Sequence, residues 1–598
     1  MRRFLLVFTG LFIATIGAWA HVGDHPSIHD VVAGIVSRFT KTMTHEQLTG
    51  LTVDQALEAL TPEERDILAN HHISFRVNQS VTLYVMRDER LGEEPYWLKE
   101  RNFERTGMKV MVGRRPFDVW KKNFDPGAIG LGVNSLSGGG DHYFVAMKPL
   151  QSGATIEVTE VYPAVHTTGI LEKGTSAFGD GETAITEIPA DLEGAVLLRG
   201  AYAKRRDAQL VNLFRYTEYP ASDRPDHIVL TWSDDPKTTQ AIQWRTSENV
   251  HKGAVAYIKK ADFKTVNPGK PVIVAAQTEK LETPNVVNNP VVNRHTAVLL
   301  GLEPETTYLY AVGDGTEKGW TEYNEFTTAP EGIEPFSFVY MGDAQNGLER
   351  WGTLVHNAYN KRPDAAFYIM AGDLVNRGAE RDDWDMFFEN AQGVFDKRQL
   401  VPVLGNHEYQ GGEPELYLKQ FKLPEHGPKE IAPEKAYWFN YSNALFVVLD
   451  SNLPAETQAP WLDDILANST ATWKFVCYHH PAYSSGPERD NPEVRKIWGS
   501  IFDKYHVDLA LQGHDHAYLR TYPMKGEQRV GSAAEGTIYI VSVSGTKFYD
   551  QGDFDYKEFG LTNISLYHTL DIQIMGDRLV YKAFDIDGNL KDEFVIEK

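Results

Sequence analysis

Phe336-Ser337-Phe338-Val339-Tyr340-Met341-Gly342-Asp343-Ala344-Gln345 reads as an apolar strand that stops abruptly at Gly-Asp. The same grammar returns four times downstream. Apolar runs near 365–370, 400–404, 473–478 and 507–511 lead into Gly372-Asp373-Leu374-Val375-Asn376-Arg377, Gly405-Asn406-His407-Glu408, His479-His480-Pro481 and Gly513-His514-Asp515-His516. Helical patterns near 348–360, 380–396, 457–468 and 492–505 separate the runs, which predicts α/β layering. Ligands of such sheets bind beyond the carboxyl ends of the strands. Five polar loops therefore converge on one edge. Each glycine lets the backbone turn sharply and approach a ligand.

These loops carry Asp, Asn and His. Oxygen and imidazole donors suit Zn, Fe, Mn or Ni rather than a soft thiolate site. A single Gly-Asp or His-x-His is common in turns and on surfaces. Five such fragments in order between 343 and 516, each behind an apolar run, point to a metal centre. Further strands at 437–440, 445–449, 537–543, 568–574 and 578–584 would complete two packed sheets.

Outward from this domain, the chain has 598 residues, enough for about three to five domains. Asp and Glu number 82 against 59 Lys and Arg, a net charge of −23, which argues against non-specific binding of nucleic acid or anionic membrane. The one cysteine, Cys477, excludes a disulfide within the chain and a thiolate zinc site of two or more cysteines. Met1-Arg2-Arg3, the apolar run 4–18 and Ala18-Trp19-Ala20 read as a signal peptide over 1–20, so the protein is expected to be exported, periplasmic or secreted. No later run is apolar enough to predict a membrane span.

Residues 21–71 read as helical, with helix starts at Thr44-His45-Glu46-Gln47 and Thr61-Pro62-Glu63-Glu64. Residues 72–221 read as a β-rich accessory domain of unknown role. Its aromatic and acidic residues would serve carbohydrate or protein contact, or ordinary core and surface. Residues 222–330 alternate at period two and have the size of an immunoglobulin-like sandwich. The fold class is thus multidomain: all-β sandwich modules, then an α/β domain of two packed sheets flanked by helices.

The loop series resembles the calcineurin-like metallophosphoesterases, and Val476-Cys477-Tyr478-His479 with Gly513-His514-Asp515-His516-Ala517-Tyr518 resembles purple acid phosphatases in particular. The segment 222–330 is similar to the fibronectin III-like N-terminal module of that family, and 331–598 to its catalytic domain. The resemblance implies two metal ions per chain, divalent transition metals such as Zn, Fe or Mn. It implies Asp343 and His516 on the first metal, Asp373 bridging, and Asn406, His479 and His514 on the second. His407 would be the general acid. Two ions against two carboxylates leave a positive site, suited to a phosphate-ester small-molecule substrate. Hydroxide formed from water on the metals would attack phosphorus in a phosphate monoester. A phosphodiesterase or nucleotidase on the same site is the alternative, as is a non-catalytic protein with a degraded site.

Two positions depart from the family pattern. Gln345 stands where relatives carry Gly or His, and Asn376 where they carry Tyr or Asp. Gln345 is expected to coordinate through its amide oxygen, more weakly than imidazole. Without the tyrosine, the protein is expected to be colourless, with divalent metals or a weakened first site. Arg377, Arg489 and Tyr518 are candidate substrate contacts; Tyr409 and Tyr483 are candidate pocket lining. His480 reads as a wall residue beside its neighbour. Glu408 reads equally as an orienting partner of His407 or as a surface acid.

Overall fold

The computed structural model describes residues 26–598 except 180–183, 202–207, 265–268, 318, 411, 488 and 574–576. The signal-peptide segment 1–20 lies outside the described residues. Two compact units divide the chain, residues 1–215 and 216–598.

In the first unit, helices Ile28–Thr42, His45–Thr49, Val53–Ala59 and Pro62–Asn70 precede the strands. Thr44, Thr52 and Thr61 each close a capping box with the residue three positions on, which satisfies two otherwise unpaired backbone donors per helix. A three-stranded and a seven-stranded sheet follow. They bury Trp97, Trp120, Tyr143 and many β-branched residues. No helix among the described residues is long and apolar enough to cross a membrane.

The second unit begins with seven antiparallel strands between Asp226 and Thr327. The long strand Val272–Glu282 pairs with Gly253–Lys259 through its first half and with Val291–Leu300 through its second. One strand thereby joins both faces of a sandwich around Trp244, Tyr308, Tyr310 and Phe326.

Two further sheets pack face to face. In the first, β1 (Phe336–Met341), β2 (Phe367–Met370) and β3 (Gln399–Pro402) run parallel, and three antiparallel C-terminal strands extend it beyond β1. In the second, β4 (Trp473–Cys477), β5 (Leu509–Gln512) and β6 (Ile538–Val541) are parallel neighbours. Phe338 and Phe367 from one sheet meet Phe446 and Phe475 from the other, with ring centroids 5.1–5.4 Å apart for three of the cross-sheet pairs. Helices Leu348–Lys361, Arg381–Asn390, Ala455–Asn468 and Pro492–Tyr505 match the four helical patterns, though the second is shorter than expected. The sequence reading missed strands Tyr518–Thr521, Lys557–Leu561 and Leu590–Glu597. The first starts directly after a polar loop, and the other two are too polar to show a clean alternation. Cys477 is fully buried at the end of β4, where burial pushes its thiol up.

Candidate metal centre

The carboxyl ends of β1, β2, β4 and β5 deliver five donor residues to one place. Asp373, His479 and His514 present ligand atoms within 4.8 Å of one another, and so do Asp343, Asp373 and His516. Asp373 belongs to both groups. Asn406, from the loop after β3, places Oδ1 2.9 Å from His514 Nδ1 and 3.2 Å from His479 Nε2.

The backbone is bent to achieve this. Asp343 (φ 53°), Asp373 (φ 53°), His514 (φ 76°) and His516 (φ 49°) all occupy the left-handed region. Each costs about 1–2 kcal/mol for a residue with a Cβ, and such strain gathers where a site requires it. Glycines in these loops allow the close approach. A Cβ on Gly405 would lie 2.2 Å from Asp373 Oδ1, and one on Gly513 2.4 Å from Asp343 Oδ2.

Outer contacts orient the donors. His479 Nδ1 donates to the Ala371 carbonyl at 2.8 Å and His516 Nδ1 to that of Lys547 at 3.0 Å. Each bond turns the opposite ring nitrogen, Nε2, toward the cluster, where His516 Nε2 meets the Gln345 amide nitrogen at 3.1 Å. Glu408 is buried and accepts from the backbone N–H of Asp373 (2.9 Å), Leu374 (2.9 Å) and Gly405 (2.8 Å). It clamps two loops together and is neither a surface acid nor a partner of the His407 imidazole. Burial, then the Asp373 carboxylate, pushes Glu408 up to about 7.

The electrostatics are those of a site built around cations. Asp343 and Asp373 are buried, and among the described residues neither pairs with a Lys or Arg. Asp343 Oδ1 and Gln345 Oε1 are buried with no hydrogen-bond partner. Burial drives the Asp343 carboxyl well up. Burial opposes charge on His479 too, but Asp373 at 3.3 Å outweighs it and lifts the imidazole to about 10. His514 is driven far down by burial and by His479. Two orphaned buried oxygens beside two carboxylates and three imidazoles fit divalent metal ions.

The remaining candidates fall into three groups. His407 borders the cluster with Nε2 3.8 Å from Asp373 Oδ2. Its Nδ1 lies 2.5 Å from the Asn376 carbonyl and 2.8 Å from the Gln410 amide nitrogen. His480 bonds Ser451 Oγ at 2.9 Å, and its ring lies 4.4 Å from that of His514. Arg489 reaches the same loop, donating to Asp515 Oδ1 and to the His514 carbonyl, each at 2.7 Å. Arg377 instead turns to Asp383 on the neighbouring helix, with Nε 3.1 Å from Oδ2. Tyr518 must be corrected: it is an inward-facing strand residue, fully buried, with its hydroxyl donated to Asp592 at 2.7 Å, so no ligand can reach it. Tyr483 packs in the core against Tyr539 and Tyr556, and Tyr409 donates its hydroxyl to Asp450. The sequence reading missed the loop after β6, where Ser544 and Gly545 donate to the Gly342 and Asp343 carbonyls at 2.7 and 2.8 Å. The parallel direction of β6 was the available signal.

Residues 225–328 match the model of the purple acid phosphatase N-terminal domain, and residues 336–518 that of the calcineurin-like phosphoesterases. The two matches lie in tandem along this chain. The second match begins at β1 and spans every donor named above. An uncharacterized protein of Mycobacterium tuberculosis is 26% identical over 341 residues, 50% of this chain and 62% of that protein. The chain thus spans about three fifths of the length of the curated relatives it matches first. The Fe(3+)-Zn(2+) purple acid phosphatase 12 of Arabidopsis thaliana is 26% identical over 250 residues, 38% of this chain and 52% of its own. A purple acid phosphatase from yellow lupin (Lupinus luteus) seeds superposes with a TM-score of 0.54 at 15% identity, covering 86% of this chain and 90% of its own, and so shares the fold.

Proposed function

We propose that the protein is an exported metal-dependent phosphatase that hydrolyses phosphate monoesters of small molecules at a binuclear centre. The sharing of Asp373 between two donor groups carries this reading. Asp343, Gln345, Asp373 and His516 would hold one ion; Asp373, Asn406, His479 and His514 the other. Divalent Zn, Fe or Mn suits this donor set, and a relative's name couples iron with zinc. Bound ions would supply positive charge to the phosphoryl oxygens and acidify water.

The chain's own groups do the rest. His407 Nδ1 donates to the Asn376 carbonyl, which turns Nε2 toward the cluster, and the imidazolium form carries a second proton there. There His407 donates it to the leaving oxygen as general acid. Glu408 holds the Asp373 and Asn406 loops in register through three backbone bonds. The basic-apolar start of the chain, ending in Ala18-Trp19-Ala20, supports export with cleavage after residue 20. Residues 21–71 and 72–221 are assigned to helical and β-rich accessory regions, 222–330 to the sandwich module and 331–598 to catalysis.

The test is metal-loaded protein assayed on p-nitrophenyl phosphate and its bis ester. The monoester is expected to be the better substrate, with loss of activity in Asp373→Ala and His407→Ala. Diester preference would replace the monoesterase with a phosphodiesterase, and unchanged activity in Asp373→Ala would refute the reading.

A further inference from the structure

Beside the donor cluster lies a cationic lip that the metal centre does not use. Two loops of separate origin form it. Arg489 comes from the loop after β4, and Lys547 and Tyr549 from the loop after β6. Tyr549 is the spacer: its ring meets the His516 ring edge-on at 5.0 Å, the Arg489 guanidinium lies 5.0 Å from its centroid, and the Lys547 ammonium 5.1 Å. The aromatic ring favours both cations and keeps them near one another beside a metal donor.

The lip is built rather than accidental. The loop after β6 is tied down at Thr546 N–Asn346 O (2.8 Å), Tyr549 N–His516 O (3.1 Å) and Gly552 N–Ser485 O (2.7 Å). Arg489 is fixed through Nε and one terminal nitrogen to Asp515 and the His514 carbonyl. Its other terminal nitrogen, Nη1, has no hydrogen bond among the described residues. Lys547 pairs with no carboxylate at all among them, in a chain with 82 acids against 59 bases. Spare donors on a fixed loop, aimed beside a phosphate site, are what a second anion needs.

We propose that Arg489 and Lys547, spaced by Tyr549, bind a second anionic group of the substrate, so that the site favours phosphoanhydrides and bisphosphates over singly phosphorylated compounds. This rests on the phosphatase reading above and adds the substrate class.

The test is calorimetric binding of inorganic pyrophosphate and of orthophosphate to the metal-loaded full chain, with p-nitrophenyl phosphate hydrolysis assayed in parallel. Lys547→Gln is expected to weaken pyrophosphate at least about fivefold while orthophosphate stays within about twofold, and Lys547→Arg to restore the difference. Equal changes for both anions, or no change for either, would overturn the lip. Because Lys547 is unpaired, the variant keeps its fold, which melting temperature checks. If p-nitrophenyl phosphate is not hydrolysed yet the pyrophosphate contrast holds, the hydrolase reading fails and the lip stands. If it is hydrolysed without the contrast, the reverse applies.

Discussion

Two of the places where the second unit buries charge are satisfied in opposite ways. At the seam between the 226–327 sandwich and helix Arg381–Asn390, Asp385 receives Arg245 at 2.7 Å and Arg381 at 2.8 Å, with Thr217 Oγ1 at 2.7 Å. Arg245 also pairs with Asp226 at 2.7 Å. All three central side chains are at most 2% exposed, and each charge meets its opposite. At the metal centre, Asp343 and Asp373 are equally buried but meet only imidazoles, backbone N–H groups and the Gln345 amide, with no Lys or Arg among the described residues, and two oxygens have no hydrogen-bond partner. Burying an unpaired charge costs several kcal/mol. The seam is complete as folded and holds domains together; the centre is complete only with cations.

This contrast can be broken by substitution. The largest effect is expected at Asp373, the residue common to both donor groups. Asp373→Ala should lower kcat/KM on p-nitrophenyl phosphate at or beyond about 1,000-fold, since both ions lose a donor, with melting in the metal-free state little changed. Asp385→Ala should do the reverse. It strands Arg381 without a counter-charge and leaves Arg245 with Asp226 alone, costing about 3–5 kcal/mol in urea unfolding, while metal content per folded chain is retained.

His407→Ala comes next, with a fall in kcat of about 100-fold and unchanged metal content, because His407 handles a proton rather than an ion. An ester with a very acidic leaving group should show a smaller loss, since it departs without protonation.

The smallest effect is on acid stability. Burial lowers His295 to about 4 and His568 to about 3. Both rings are hydrogen-bonded as neutral groups, His295 to Thr246 and Thr278, His568 to Ser542 and Tyr581. A base depressed on folding contributes stability above its unfolded value near 6.5, and that contribution is lost as pH falls toward the folded value. Stability should therefore decline from pH 6.5 to 4, by on the order of 2 kcal/mol for His295, and His295→Gln should flatten the decline seen by chemical denaturation.

The α/β layering was legible because β1 to β5 are short apolar runs, each ending at a polar loop. The donors could be read for the same reason: position after a strand fixes place in the fold. Tyr518 was misread because sequence adjacency to His516 says nothing of direction, and one residue later the strand turns inward. Glu408 was underread because its partners are backbone N–H groups, which leave no trace in side-chain spacing. Lys547 and Tyr549 were overlooked because they follow β6, whose first residues beyond the strand, Ser542 to Thr546, include no Asp or His. The seam was invisible for a different reason. Arg245 and Asp385 lie 140 positions apart and pair only once the two domains dock.

The central claim is that one aspartate joins two metal sites. Calorimetric titration of metal-free protein with Zn²⁺, in the wild type and in Asp373→Ala, tests it most directly. The account predicts two ions per chain in the wild type and loss or marked weakening of both in the variant. Two ions bound with unchanged affinity in Asp373→Ala, or none in the wild type, would contradict it.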